Sequence, residues 1–136
     1  MLSPDELFYD CTYLTACPQI EFVSKSFSTV KMFYYCYNMR SIPLLDLSGA
    51  TNCEDMFEDC STLRYLGGFK GLKVDLSLTD SPLLVRSSVL NVLNNLADVT
   101  ELGTNPTLTL AADSYVKLTA EEIAIGTNKG WTIAYA

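Results

Sequence analysis

The sequence predicts an α/β solenoid of short strand plus short helix units, closed by a C-terminal helix–strand cap. Two observations lead to this prediction: an aromatic residue followed by a cysteine recurs at nearly constant spacing, and prolines fall at equivalent places. A fixed period of this size is typical of stacked repeats. We predict one domain over residues 1–136, with repeats at about 7–31, 32–55 and 56–80 and a modified repeat plus cap at about 81–136.

Two sets of side chains recur with the repeat. The aromatic set is Phe8, Phe33 and Phe57, and the cysteine set is Cys11, Cys36 and Cys60. Both sets step by 25 and then by 24 residues. If the units stack in register, the rings form one buried ladder and the thiols form another. One unit alone cannot bury such a face, so the units depend on one another.

Within each unit the apolar residues fall three apart. In the second unit they are Phe33, Cys36, Met39, Ile42 and Leu45. A helix would alternate spacings of three and four, and a strand would alternate by two. The spacing therefore predicts a short helical turn that passes into a short strand. Pro18 and Pro43 favour this interpretation, because proline interrupts a helix and extends the residue before it.

The stretch SIPLLDLSGATNCEDMFEDCSTL, residues 41–63, resembles the BspA-type leucine-rich repeats of bacterial surface proteins and of some phage proteins. The match lies in Met56-Phe57, Cys60 and Leu63, in the preceding IPxLD-like strand, and in a Thr-Asn turn. The first unit lacks the usual Asp and Asn. The resemblance implies a leucine-rich-repeat solenoid without cofactor, on a bacterial cell surface, outside the cell or in a virion.

Composition excludes several function classes. The chain has nine Lys and Arg and 16 Asp and Glu, which gives a net charge of −7 and argues against a nucleic-acid partner. The chain contains no histidine, the commonest general base and transition-metal ligand. No apolar run is long enough for a membrane span, so we expect no membrane insertion. The N-terminus has no leader pattern, so we expect either a protein that stays in the cytosol or a region whose leader was removed.

The five cysteines are interpreted as structural. Cys11, Cys36 and Cys60 fit a ladder of free core thiols, because buried cysteine behaves as a small hydrophobic residue. A Cys11–Cys36 disulfide stays open as an alternative, because neighbouring strands lie about 5 Å apart. Zinc is disfavoured, since no C-x-x-C pair occurs and a ladder does not form a tetrahedron. We predict no metal and no cofactor.

Enzymatic activity is not predicted. The acidic pairs at 54–55, 58–59 and 121–122 point in different directions on a helix and are interpreted as solvated charges. Only a groove with two convergent carboxylates would favour a glycosidase. A Ser or Cys nucleophile has no histidine to activate it. No calcium loop or phosphate-binding glycine motif occurs.

The C-terminal part carries conventional signals. Alternating apolar residues predict a strand at 74–78, and Ser81 with Pro82 predicts the start of a helix of about 15 residues. A strand is predicted at 107–110. Thr119 and Glu122 predict a capping box for a short helix, which precedes a final strand in WTIAY.

The predicted contact face lies over the short strands. Its residues are Thr15, Ala16, Pro18, Arg40, Ser41, Pro43, Arg64 and Tyr65. We expect a non-enzymatic interaction module that binds a protein or glycan through this face. The alternative is a structural spacer or assembly element without a ligand. No cap precedes Phe8, so self-association or fraying at that end is also expected.

Overall fold

Parallel strand pairs organise the first half of the chain in the computed structural model, which describes residues 4–136. Three two-stranded sheets each join strands from successive segments. They pair β1 (Phe27–Ser28) with β4 (Ala50–Asn52), β2 (Ser41–Ile42) with β5 (Tyr65–Leu66), and β3 (Leu45–Asp46) with β6 (Phe69–Lys70).

The second half contains a larger sheet and the helices. A three-stranded parallel sheet has the order β7 (Leu76–Leu78), β8 (Thr107–Leu110) and β9 (Thr132–Tyr135). The helices are α1 (Arg86–Asn95), α2 (Ala112–Tyr115) and α3 (Ala120–Thr127). Helix α1 packs against α3 and against β5 and β6, so it joins the two halves. Among the described residues, no helix combines the length and apolarity needed to cross a bilayer.

The predicted leucine-rich-repeat solenoid of strand–helix units is wrong. The fold is mixed α/β, with small separate parallel sheets and with all three helices after residue 85. Across residues 4–85 the aromatic–cysteine segments are turns, and no helix forms there. The predicted repeats therefore lack the helical half of their unit.

Hydrogen bonding explains why these segments are not helical. The amide of Phe33 donates to Met56 O at 2.9 Å and the amide of Tyr35 to Glu58 O at 3.0 Å, whereas a helix would bond each amide four residues back. Other amides of the segment bond three residues back and close tight turns, as Cys36 N donates to Phe33 O at 3.1 Å. Tyr35 has a positive φ of 61°, which breaks a right-handed helix.

A single apolar core runs through both halves. It contains Phe33, Phe57 and Phe69 in the first half and Trp131 in the second. The first aromatic segment is less covered: Phe8 is only half-buried, whereas Phe33 is fully buried. Burial thus increases from the first segment into the second.

Several C-terminal predictions are confirmed. The strand at 107–110 forms, the predicted final strand forms as β9, and Thr119 and Glu122 make both bonds of the capping box. The predicted helix start at Ser81 is wrong. Helix α1 begins at Arg86 and has 10 residues, and the Ser81 hydroxyl instead donates to Cys60 O at 2.9 Å.

Candidate functional site

The spacing of three determines which residues face outward around the short strands. Leu14 is half-buried and Cys17 is buried, and Thr15 and Ala16 between them are exposed. The same alternation recurs in the next two segments. There the buried residues are Met39, Ile42, Leu63 and Leu66, and those between them are Arg40, Ser41, Arg64 and Tyr65. Each segment therefore presents two adjacent residues on the outside.

Backbone pairing brings these outward residues together. Ala16 bridges to Ser41, and Ser41 pairs in parallel register with Tyr65. We call the exposed surface of the three segments the arginine face and define it by Thr15, Ala16, Arg40, Ser41, Arg64 and Tyr65. All of these are exposed except Ser41, which is half-buried.

The two arginines of the face occupy neighbouring segments. The Arg40 amide donates to Thr15 O at 2.7 Å, and the Arg64 amide donates to Arg40 O at 2.9 Å. Tyr65 N also donates to Arg40 O, at 3.0 Å. These bonds place residues 15, 40 and 64 in one row beside the row of 16, 41 and 65.

The two predicted proline positions flank the face. Pro18 is exposed and Pro43 is half-buried. Beside them, the Gln19 side chain donates to Leu44 O at 3.1 Å, and Leu44 is itself exposed. The prolines thus lie where each segment leaves the face.

A third arginine, Arg86, follows the residue that continues this row. Val85 N donates to Arg64 O at 3.0 Å, so Val85 takes the next position of the row of 15, 40 and 64, and Arg86 is one residue beyond it. The Ser88 hydroxyl donates to the same oxygen at 2.8 Å. Arg86 itself forms an ion pair with Glu122. The sequence pattern does not predict that the row continues at Val85, because Ser81 and Pro82 indicate a helix start just before it.

The predicted ring and thiol sets lie at the contacts between successive segments. The ring centroids of Phe8 and Phe33 are 5.4 Å apart, and those of Phe33 and Phe57 are also 5.4 Å apart, with nearly parallel planes. The Cys36 thiol donates to Phe8 O at 3.0 Å and the Cys60 thiol to Phe33 O at 2.9 Å. These side chains hold successive segments together. Those of the second and third segments are buried, and Phe8 and Cys11 of the first segment are half-buried.

The cysteine thiols form no disulfide, and the buried ones resist deprotonation. All five cysteines are free, so the Cys11–Cys36 disulfide does not form here. Burial raises the pKa of Cys36 to about 11 and that of Cys60 to about 12, so both are protonated at neutral pH. Among residues 4–136, no group of three or more His, Cys, Asp or Glu is arranged to hold a metal ion.

Four acidic side chains lie on the turn at 54–59, which contains no residue of the arginine face. Desolvation and the nearby carboxylates of Asp55, Asp59 and Asp80 raise the pKa of Glu58. A hollow of about 280 Å³ lies beside them. A glycosidase would need two carboxyl groups placed on either side of the bond that it cleaves.

Tyrosines cover the neighbouring turn edge. The rings of Tyr9 and Tyr34 stack at 5.1 Å, and those of Tyr35 and Tyr37 stack at 5.7 Å. The Lys31 ammonium lies 5.4 Å from the centre of the Tyr34 ring. Much of the surface of these rings is therefore already covered by contacts with one another.

Comparisons with known proteins assign no family. No family model matches the sequence, and no match is found among curated proteins or among solved structures. Function is therefore inferred from the residues and their geometry.

Proposed function

We propose that this chain is a non-enzymatic interaction module that binds a protein or glycan partner through the arginine face. The observation that carries the proposal is the parallel register of Ala16, Ser41 and Tyr65, together with the exposure of the residues beside them. Exposed arginine and tyrosine are enriched among residues that dominate binding energy. A rigid backbone row reduces the ordering cost of binding.

The protonated thiols and the missing histidine support a role without catalysis. The resemblance to BspA-type repeats rests on the motif alone and stays a prediction, as do the bacterial surface and virion locations that it implies.

A structural spacer or assembly element is the second candidate. It is supported by the unbroken contact between successive segments, in which the Phe8, Phe33 and Phe57 rings stack. Such an element would need the buried rows and would tolerate changes on the arginine face.

Binding assays separate the two candidates. The chain is screened by pull-down and on a glycan array beside Arg40→Ala, Arg64→Ala and Tyr65→Ala. Lys73→Ala is the control, because Lys73 is an exposed basic residue outside the face. Binding that is lost in the face variants and retained in the control supports the interaction module. Complete absence of binding by the native chain favours the spacer.

A further inference from the structure

The distribution of arginine in this chain is uneven. The sequence contains only three arginines, Arg40, Arg64 and Arg86; a backbone bond from Arg64 N to Arg40 O places the first two on consecutive positions of one row, and Arg86 follows Val85, which takes the next position. The six lysines are spread over the rest of the sequence. Arginine differs from lysine because its planar fork binds carboxylate or sulfate groups through two parallel bonds.

Two of these arginines lack internal partners. Within residues 4–136, the guanidinium groups of Arg40 and Arg64 have no ion pair or hydrogen bond, although the chain has 16 acidic residues. Like charges at neighbouring positions of paired strands destabilise the pair. Arg86 shows that pairing is available at this surface, because Glu122 neutralises it. The uncompensated pair is a local conflict of the kind expected at a binding site.

We propose that the arginine face binds an acidic glycan, with Arg40 and Arg64 together holding one carboxylate or sulfate group of a sugar. This inference rests on the binding role proposed above for the same face. The side chains around the two arginines suit a sugar. Tyr65 is 56 % exposed and offers an aromatic ring with a polar tip, and Thr15 and Ser41 supply hydroxyl groups in the adjoining positions.

The net charge favours one anionic group over many. At −7, the chain repels a polyanion at long range, and two unpaired arginines are too few for the charge neutralisation that nucleic-acid binding requires. A single carboxylate or sulfate on an otherwise neutral sugar experiences the two nearby guanidinium groups much more strongly than the distant negative charges, which salt screens. An acidic peptide or an oligonucleotide carries several charges and is disfavoured.

The test uses the full chain on an array of glycans that end in sialic acid, glucuronic acid or a sulfated galactose, each beside its neutral parent. The methyl ester of the sialic acid removes the charge and keeps the sugar. We expect at least one acidic glycan to bind about tenfold or more tightly than its neutral parent. Comparing the carboxylated glycans with the sulfated ones identifies which anionic group the two arginines bind.

Substitutions then assign the binding to the two arginines. Arg40→Gln and Arg64→Gln are expected to remove the preference for the acidic glycan, and Arg64→Lys to restore only part of it, because an ammonium lacks the planar fork. Lys73→Gln removes the same charge elsewhere on the surface and is expected to change affinity by less than about twofold. Circular dichroism checks that each variant is folded.

Three results would overturn the inference, and they separate it from the proposed function. A neutral ligand whose binding is lost in Tyr65→Ala but kept in both Gln variants leaves the face a binding site and refutes the acidic ligand. Binding of a hexaglutamate peptide or an oligonucleotide without any acidic glycan refutes the glycan. No binding to any probe or partner refutes the proposed function and the inference with it.

Discussion

Phe33 lies at the centre of the contact between successive segments. Its side chain is fully buried, and its ring stacks on Phe8 on one side and on Phe57 on the other. Stacked aromatic pairs contribute beyond the area that they bury. Phe8 has only one such neighbour and is half-buried, so the two positions form a matched pair in the same row.

Replacing Phe33 by Ala is therefore expected to lower the free energy of unfolding by about 3–5 kcal/mol, because it leaves a cavity and removes two ring contacts. Phe8→Ala should cost less than half as much, since the Phe8 ring is partly in water already. Urea denaturation followed by circular dichroism measures both. Equal losses for the two variants would show that the deeper burial and second ring contact of Phe33 add nothing to its contribution.

The buried thiols make the free energy of unfolding fall with pH in the alkaline range. Burial raises the pKa of Cys60 from 9.0 to about 12, so the folded chain retains a proton that the unfolded chain releases. Its contribution is fully present below pH 9 and is lost as the pH rises towards the folded pKa. We expect a loss of about 1 kcal/mol from this thiol for the first pH unit above 9.

Burial raises the pKa of Cys17, Cys36 and Cys53 as well, so the wild-type slope alone does not isolate the Cys60 thiol. The comparison is with Cys60→Ala, which is less stable at every pH but should lose stability less steeply between pH 9 and 10.5. Denaturant midpoints across that range provide the measurement. Parallel curves for the two proteins would contradict a protonated, buried Cys60.

At the scale of elements, the aromatic–cysteine turns depend on residues in left-handed conformation. Lys31, Tyr35, Asp55 and Asp59 all have positive φ and are not glycine. Asp tolerates this conformation better than most residues, whereas a β-branched residue does not. These positions define where each turn reverses, and they explain why the segment cannot continue as a helix.

Substitutions at Asp55 test the role of the positive φ, because the Asp55 side chain is exposed and its φ is 55°. Asp55→Gly should leave the free energy of unfolding within about 1 kcal/mol of the native value, and Asp55→Val should be about 1–2 kcal/mol less stable than the glycine variant. Both variants lose the same carboxylate, so their difference reports the backbone alone. Glu54→Val is the control at an exposed neighbour without positive φ, and a cost there as large as at Asp55 would refute the explanation.

The same turns show how far the sequence predicts the fold. The steps of 25 and 24 residues predict which side chains meet, and Ala16, Ser41 and Tyr65 do pair in that register. The helix prediction fails because apolar residues three apart suit a turn as well as a helix. What decides between them is a bond such as Phe33 N to Met56 O, which joins residues that no local pattern relates.

A similar effect limits how much of the candidate site the sequence predicts. Arg40 and Arg64 are apparent from their positions in the repeat. The continuation of their row at Val85, next to Arg86, is not apparent, because Ser81 and Pro82 resemble a helix start, whereas the Ser81 hydroxyl donates to the Cys60 carbonyl oxygen. A local capping pattern therefore conceals where the row continues.

For the whole molecule, the difference in burial along the chain predicts a difference in local stability. Phe8 N and Asp10 N donate to the next segment at 2.8 and 2.7 Å, just as Phe33 N and Tyr35 N do at 2.9 and 3.0 Å. The bonds are alike, but the side chains around the first pair are half-buried or exposed. We expect the amides of Phe8 and Asp10 to exchange with solvent at least about a hundredfold faster, because amide exchange follows local opening.

Measuring that exchange at several protein concentrations also tests the predicted self-association of residues 7–20. If a second copy covers this segment, the protection of Phe8 and Asp10 rises with concentration, and the mass from light scattering rises with it. If the segment only frays, both stay constant and exchange remains fast. The amides of Phe33 and Tyr35 are the internal control, because their segment is covered on both sides in either case. Equal protection at all four amides in a monomer would show that the first segment is as stable as the second and refute both alternatives.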